Sequence, residues 1–141
     1  MLFNKRVIKV LCFPESGHDG SEHTQTLHIN PLTGQWDPLQ FHISLSIAYN
    51  VWLYWLNTGD KPFMIDYGLE LLIEIAKFLV SKTIWGATTN RYRISCVMGP
   101  DEFNEYSLDN KKTSLNDNAY TNLMVAWLFN QIDMMVLSLS K

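Results

Sequence analysis

Apolar and polar positions alternate with a helical period over three stretches of the chain. In HISLSIAYNVWLYWLN, residues 42–57, Ile43, Ile47, Val51 and Tyr54 recur at i, i+4, i+8 and i+11, which predicts a helix. Trp52 and Trp55 widen the apolar stripe, so this helix is expected to be covered on more than one side. Thr58-Gly59-Asp60 should end it, with Gly59 as the left-handed cap. A second helix is predicted over about 63–82, with a stripe of Leu69, Leu72, Ile73, Ala76, Leu79 and Val80. Its Glu70, Glu74 and Lys77 fall on another face, as a solvated surface with modest ion pairing would place them. A third should run from Asp117 or Asn118 to about residue 137, with Tyr120, Met124, Trp127 and Leu128 on one face and Asn116 or Asp117 as its cap.

Between these stretches the pattern changes. LHINPLTGQWDP reads as two short extended pieces joined by a turn at Pro31–Gly34. RYRISCVMG, residues 91–99, alternates with β-branched residues and reads as one extended segment, stopped by Gly99-Pro100. Residues 100–116 form a long polar loop holding Asp101, Glu102 and Glu105 within five positions. The order predicts a mainly α chain with an excursion long enough to suggest function.

Composition narrows the classes. A chain of 141 residues that is 47% apolar can bury a core as about one domain. Eleven basic against fourteen acidic side chains leave a charge of −3 and no basic patch, so nucleic acid is not expected as a partner. No stretch is expected to reach the length of a membrane span, and the tract broken by Lys9 and Pro14 is too short for a signal peptide. Cys12 and Cys96 have neither metal nor disulfide spacing, which points to reduced thiols in a cytoplasmic protein. His18, Asp19, Glu22 and His23 lie close together, but HDGSEH matches no ligand spacing, so neither metal nor cofactor is expected.

The acidic loop carries the chemistry. A carboxyl acts as a general acid near neutral pH when burial or a like-charged neighbour raises its pKa, and three acids in five positions supply such neighbours. Glycosidic cleavage uses this arrangement because the leaving oxygen must be protonated as the bond breaks. Acid-rich loops are more often simply solvated, so spacing alone does not decide the matter.

The surrounding sequence adds to it. VMGPDEFNE followed by NDNAYTNLMVAW resembles the signature of glycoside hydrolase family 65, the maltose, trehalose and kojibiose phosphorylases and related hydrolases. FPESGHDGSEHTQTLHIN and SIAYNVWLYWLNTGD agree with it in collinear order, so that the resemblance covers residues 12–128. It implies a partial (α/α)6 barrel, an incomplete toroid of paired helices, over residues 1–141. It also implies inverting phosphorolysis or hydrolysis of an α-glucobiose, with inorganic phosphate as co-substrate in a phosphorylase. Glu102 then falls on the general acid, with Glu105 in reserve and Asp101 beside it. Glu15, Glu22 and His28 match the polar segment bordering the sugar pocket, Asn118 the amide-rich helix start, and Trp36 could stack on a sugar. For Tyr120 and Asn122, loop anchoring and capping weigh more than substrate contact.

The sequence also departs from the pattern. Asn104 stands where the family has His, Asn116-Asp117-Asn118 where Asp-Asn-Asn is usual, and no Trp lies between Pro14 and Glu15. The upstream Trp-Asp strand and the downstream phosphate loop have no counterpart. Three helices cannot close a ring of six pairs, so an alternative is a catalytically inactive remnant or a helical piece needing a partner. Cut from a ring, such helices should leave Trp52, Trp55, Trp127 and Leu128 partly uncovered and prone to self-association.

Overall fold

The computed structural model describes residues 27–29, 36–38, 40–100 and 114–140. Strands β1 (Leu27–Ile29) and β2 (Trp36–Pro38) pair antiparallel, with His28 opposite Asp37 and Ile29 opposite Trp36. This is the expected pair of extended pieces. Helix α1 (Phe41–Thr58) follows.

Helix α1 buries Phe41, Ser44, Leu45, Ala48 and Val51. That face is rotated from the expected one: Ile43 and Ile47 are half-buried and Tyr54 is exposed. A helix apolar nearly all round does not dictate which side is covered; its neighbours do. Gly59 ends it with φ 62°, and its N–H donates to the Trp55 carbonyl at 2.9 Å, the predicted left-handed cap.

The second predicted helix is interrupted. A short α2 (Lys61–Phe63) is capped by Asp60, whose Oδ1 accepts from the Phe63 N–H at 3.0 Å, with Pro62 in the first turn. A π turn over Met64–Gly68 then leads into α3 (Leu69–Ser81). Gly68 explains why the extra residue fits. A Cβ there would lie 2.5 Å from the Met64 sulfur, and Met64 is fully buried. Helix α3 buries Leu72, Ile75, Ala76, Phe78 and Leu79, whereas Val80, expected in the stripe, is exposed. Lys77 meets Glu74 at 2.5 Å, the anticipated ion pair, although the Glu74 side chain is only 13% exposed rather than on a solvated face.

Strands β3 (Thr83–Gly86) and β4 (Arg91–Ile94) form an antiparallel hairpin, pairing Thr83 with Ile94 and Gly86 with Arg91. The sequence reading had one extended segment over 91–99 and no partner strand. The strand instead stops at Ile94, because Cys96 takes φ 60° and breaks the ladder.

Helix α4 (Ala119–Leu139) packs on both α1 and α3. Leu128 is fully buried, against the expectation that it would be partly uncovered. Trp52 and Trp127 are half-buried and stack edge-to-face at 5.5 Å, with Tyr49 5.5 Å from Trp127. At 21 residues and a mean hydropathy of 1.3, α4 is long and apolar enough to cross a bilayer by those two measures, contrary to expectation. It also carries Asn122, Asn130, Gln131 and Asp133 and contributes Val125, Leu128 and Met135 to the shared core.

Helix directions follow from these contacts. The short link makes α3 run back along α1, so that Phe41, starting α1, stacks edge-to-face on Phe78, near the end of α3, at 5.1 Å. The β3–β4 hairpin returns the chain to that same end, where α4 starts. Helices α1 and α4 therefore run parallel, each placing its aromatic contact about two turns from its start. Their N-termini share one end of the molecule.

Candidate functional site: the neck of the acidic loop

The acidic loop leaves and returns at this shared end. Its base is a bridge between Val97 and Leu115: the Val97 N–H donates to the Leu115 carbonyl at 3.1 Å, and the Leu115 N–H to that of Val97 at 2.7 Å. Val97 is fully buried. The Asp117 N–H then donates to the Ile94 carbonyl at 2.8 Å. The excursion is thus closed at its neck.

Side chains reinforce the neck. Arg93 Nε donates to Asp117 Oδ2 at 2.8 Å, and Nη2 lies 2.6 Å from the same oxygen. The Asp117 carboxylate, by hydrogen bond first and charge second, raises the Arg93 guanidinium above its ordinary pKa. Cys96 (φ 60°) and Asp117 (φ 53°) both take the left-handed conformation, one on each side of the bridge. Non-glycine residues pay for that geometry, Asp less than Cys, and such residues gather where a loop must be aimed.

Asp117 so engaged cannot cap α4, and neither does Asn116. The cap is Asn118, whose Oδ1 accepts from the Thr121 N–H at 3.0 Å and from its hydroxyl at 3.3 Å. This corrects the predicted cap by one or two positions. The Asn118 carbonyl oxygen is thereby occupied by the helix start, and Tyr120 and Asn122 are half-buried beside it.

The other predicted site residues divide in two groups. His28 and Trp36 stand in adjacent rungs of the β1–β2 ladder, which their backbones define. Glu15, Glu22, Asp101, Glu102 and Glu105, like His18, Asp19 and His23, lie outside the described residues. No group of three or more His, Cys, Asp or Glu able to hold a metal occurs among the described residues. Arg93 was missed by sequence reasoning. It lies 24 positions from its partner, and no local pattern signals that pairing.

The end of the molecule that carries the neck also gathers the N-termini of α1 and α4. Each contributes roughly half a positive charge, which at α4 the Asn118 cap already meets in part.

Comparison with known proteins identifies the family. The model of the glycosyl hydrolase family 65 central catalytic domain matches residues 8–140. An uncharacterized glycosyl hydrolase of Mycobacterium tuberculosis is 43% identical over 118 residues, 81% of this chain and 9% of the relative. The trehalose 6-phosphate phosphorylase of Lactococcus lactis is 42% identical over 123 residues, 84% of this chain and 16% of the relative. A solved structure from the human microbiome, classed with kojibiose phosphorylases, superposes with a TM-score of 0.57 at 34% identity, covering 66% of this chain and 12% of its own. The chain therefore spans between about a tenth and a sixth of the length of these relatives.

Proposed function

The chain belongs to glycosyl hydrolase family 65, and from that premise we propose that it is the segment of a partial (α/α)6 ring that carries the enzyme's general acid, Glu102. The observation that supports this most is the closed neck. Three backbone bonds, an Arg–Asp pair and two left-handed residues close the base of the segment whose sequence bears Asp101, Glu102 and Glu105. Parallel α1 and α4, each packed on the other and on antiparallel α3, are compatible with part of a helical toroid.

In this reading the substrate is an α-linked glucobiose and the setting is the cytoplasm. Glu102 donates its proton to the glycosidic oxygen as the bond breaks, and the like charges of Asp101 and Glu105 help it hold that proton. In phosphorolysis the nucleophile is inorganic phosphate, which attacks the anomeric carbon with inversion and gives glucose 1-phosphate. The positive helix ends favour its approach. A hydrolase would instead need a second carboxylate, roughly 6.5–9.5 Å from the acid, to activate water. The phosphorylase names of the relatives favour the first course. Glu15, Glu22, His28 and Trp36 border the sugar, and Glu105 is the reserve acid.

A second reading, a catalytically inactive remnant, is favoured by Asn104, which stands where the family has His beside the acid. An open ring would leave apolar faces for self-association. Incubating the purified chain with α-linked glucobioses, with and without phosphate, tests whether these residues suffice for catalysis; turnover after transplantation into a full-length relative separates the acid-bearing segment from the remnant. Phosphate-dependent glucose 1-phosphate identifies a self-sufficient phosphorylase, and phosphate-independent glucose a hydrolase. The proposal of an acid-bearing segment predicts neither product from these residues alone.

A further inference from the structure

Asp117 is held at both its backbone and its side chain by consecutive residues of β4. Its N–H donates to the Ile94 carbonyl at 2.8 Å; its Oδ2 accepts from Arg93 Nε at 2.8 Å, with Nη2 2.6 Å away. Its φ is 53°, a conformation that a residue with a Cβ adopts only at a cost, smaller for Asp and Asn than for others. The double hold offsets that cost and selects this conformation. Two positions earlier, Leu115 exchanges both backbone bonds with Val97. Whatever fixes Asp117 therefore fixes how the chain enters and leaves the neck.

Arg93 is itself held. It stands opposite Ile84 in the β3–β4 ladder, and its stem passes over Gly86, where a Cβ would lie 3.1 Å from Arg93 Cδ. Glycine leaves that path open. The planar guanidinium then meets one carboxylate oxygen with two nitrogens at once, which a lysine cannot do. With those nitrogens on Asp117, Arg93 is not set up as a ligand for a free anion. Every contact in this grip lies within the chain, so it holds whatever packs around it.

We propose that Arg93 is a positioning residue for the proton donor: seated over Gly86, it holds Asp117 left-handed and so sets the angle at which the acid-bearing segment leaves the neck. The inference rests on the reading of Glu102 as that donor. Glu102 is five residues from Val97, a reach of at most about 18 Å. A tilt of about 5° at the neck moves a group at that reach by about 1.5 Å, and a misplacement of about 1 Å is enough to cost about a hundredfold in rate.

The test sets residues 8–140 in place of the matching segment of a full-length family 65 phosphorylase and compares two substrates. One is an α-linked glucobiose; the other is α-glucosyl fluoride, whose fluoride ion leaves with little need of a proton. On the glucobiose, Arg93→Gln and Asp117→Ala should each lower kcat about tenfold or more, with KM for sugar and phosphate within about twofold. On the fluoride both should stay within about threefold of the parent chimera, which also shows that they are folded and bind sugar and phosphate. Asp117→Asn keeps an acceptor oxygen and tolerates the left-handed conformation, so it should recover most of the rate. Glu102→Gln checks the underlying reading separately: it should lose the glucobiose reaction and keep that of the fluoride. With that result in hand, equal losses on both substrates, a loss in KM alone, an unchanged Arg93→Gln or no recovery with Asp117→Asn would each overturn the positioning role and leave the acid standing. Glucobiose turnover that survives Glu102→Gln, or a folded chimera without turnover, would remove the acid and the positioning role with it.

Discussion

Replacing Leu128 by Ala probes the core where sequence and structure disagree. The sequence reading left Leu128 partly uncovered on a ring helix; the structure buries it completely, amid the packing of α4 on α1 and α3. Truncating a fully buried leucine removes its transfer free energy and leaves a cavity, at a cost of about 3–5 kcal/mol. Against a domain stability of about 5–15 kcal/mol that is a large share. It corresponds to a fall in melting temperature of about 10 °C or more. Leu123 provides the control on the same helix, since it is 68% exposed and its truncation should change stability by no more than about 0.5 kcal/mol. Urea titration of both variants, followed by far-UV circular dichroism, gives the two values. Equal, small losses at both positions would refute the packing described for α4.

Asn118→Ala should cost about 0.5–2 kcal/mol, because it removes the acceptor for the Thr121 N–H, whereas Asn116→Ala should be near neutral; chemical denaturation measures both. Acid should destabilise the α1–α2 corner. The Phe63 N–H, and after it the Tyr54 hydroxyl, hold the Asp60 carboxyl below its ordinary 3.8. A depressed folded pKa gives stability that is complete above the unfolded value and lost as pH falls through the folded one. Stability of the wild type should therefore drop more steeply below about pH 4 than that of Asp60→Asn; equal slopes in urea melts across that range would contradict the assignment.

Local signals account for what was legible in the sequence. The three helical stretches were visible because their apolar residues recur with a 3.6 period, and Gly59 because a left-handed cap favours glycine. The buried faces were harder to read. Helix α1 is apolar on several sides, so tertiary neighbours select Leu45 and Ala48 over Ile43 and Ile47. The π turn depends on the Gly68–Met64 approach, a contact that no periodicity encodes. Strand β3 was hidden because only Lys82, neither glycine nor proline, separates Thr83-Ile84-Trp85 from α3. For the site, the acids were legible as a loop, whereas the clamp at its neck was not. Asp117 appears to local reasoning as a cap, and only the fold brings Arg93 to it.

The central claim, that Glu102 is the proton donor of this segment, is tested most directly in a chimera. Residues 8–140 would replace the matching segment of a full-length family 65 phosphorylase of measured activity, and phosphate-dependent release of glucose 1-phosphate would be followed. The account predicts turnover in the chimera, loss of at least about a hundredfold with Glu102→Gln, and retained turnover with Glu105→Gln. An inactive but folded chimera, or turnover that survives Glu102→Gln and fails with Glu105→Gln, would contradict it.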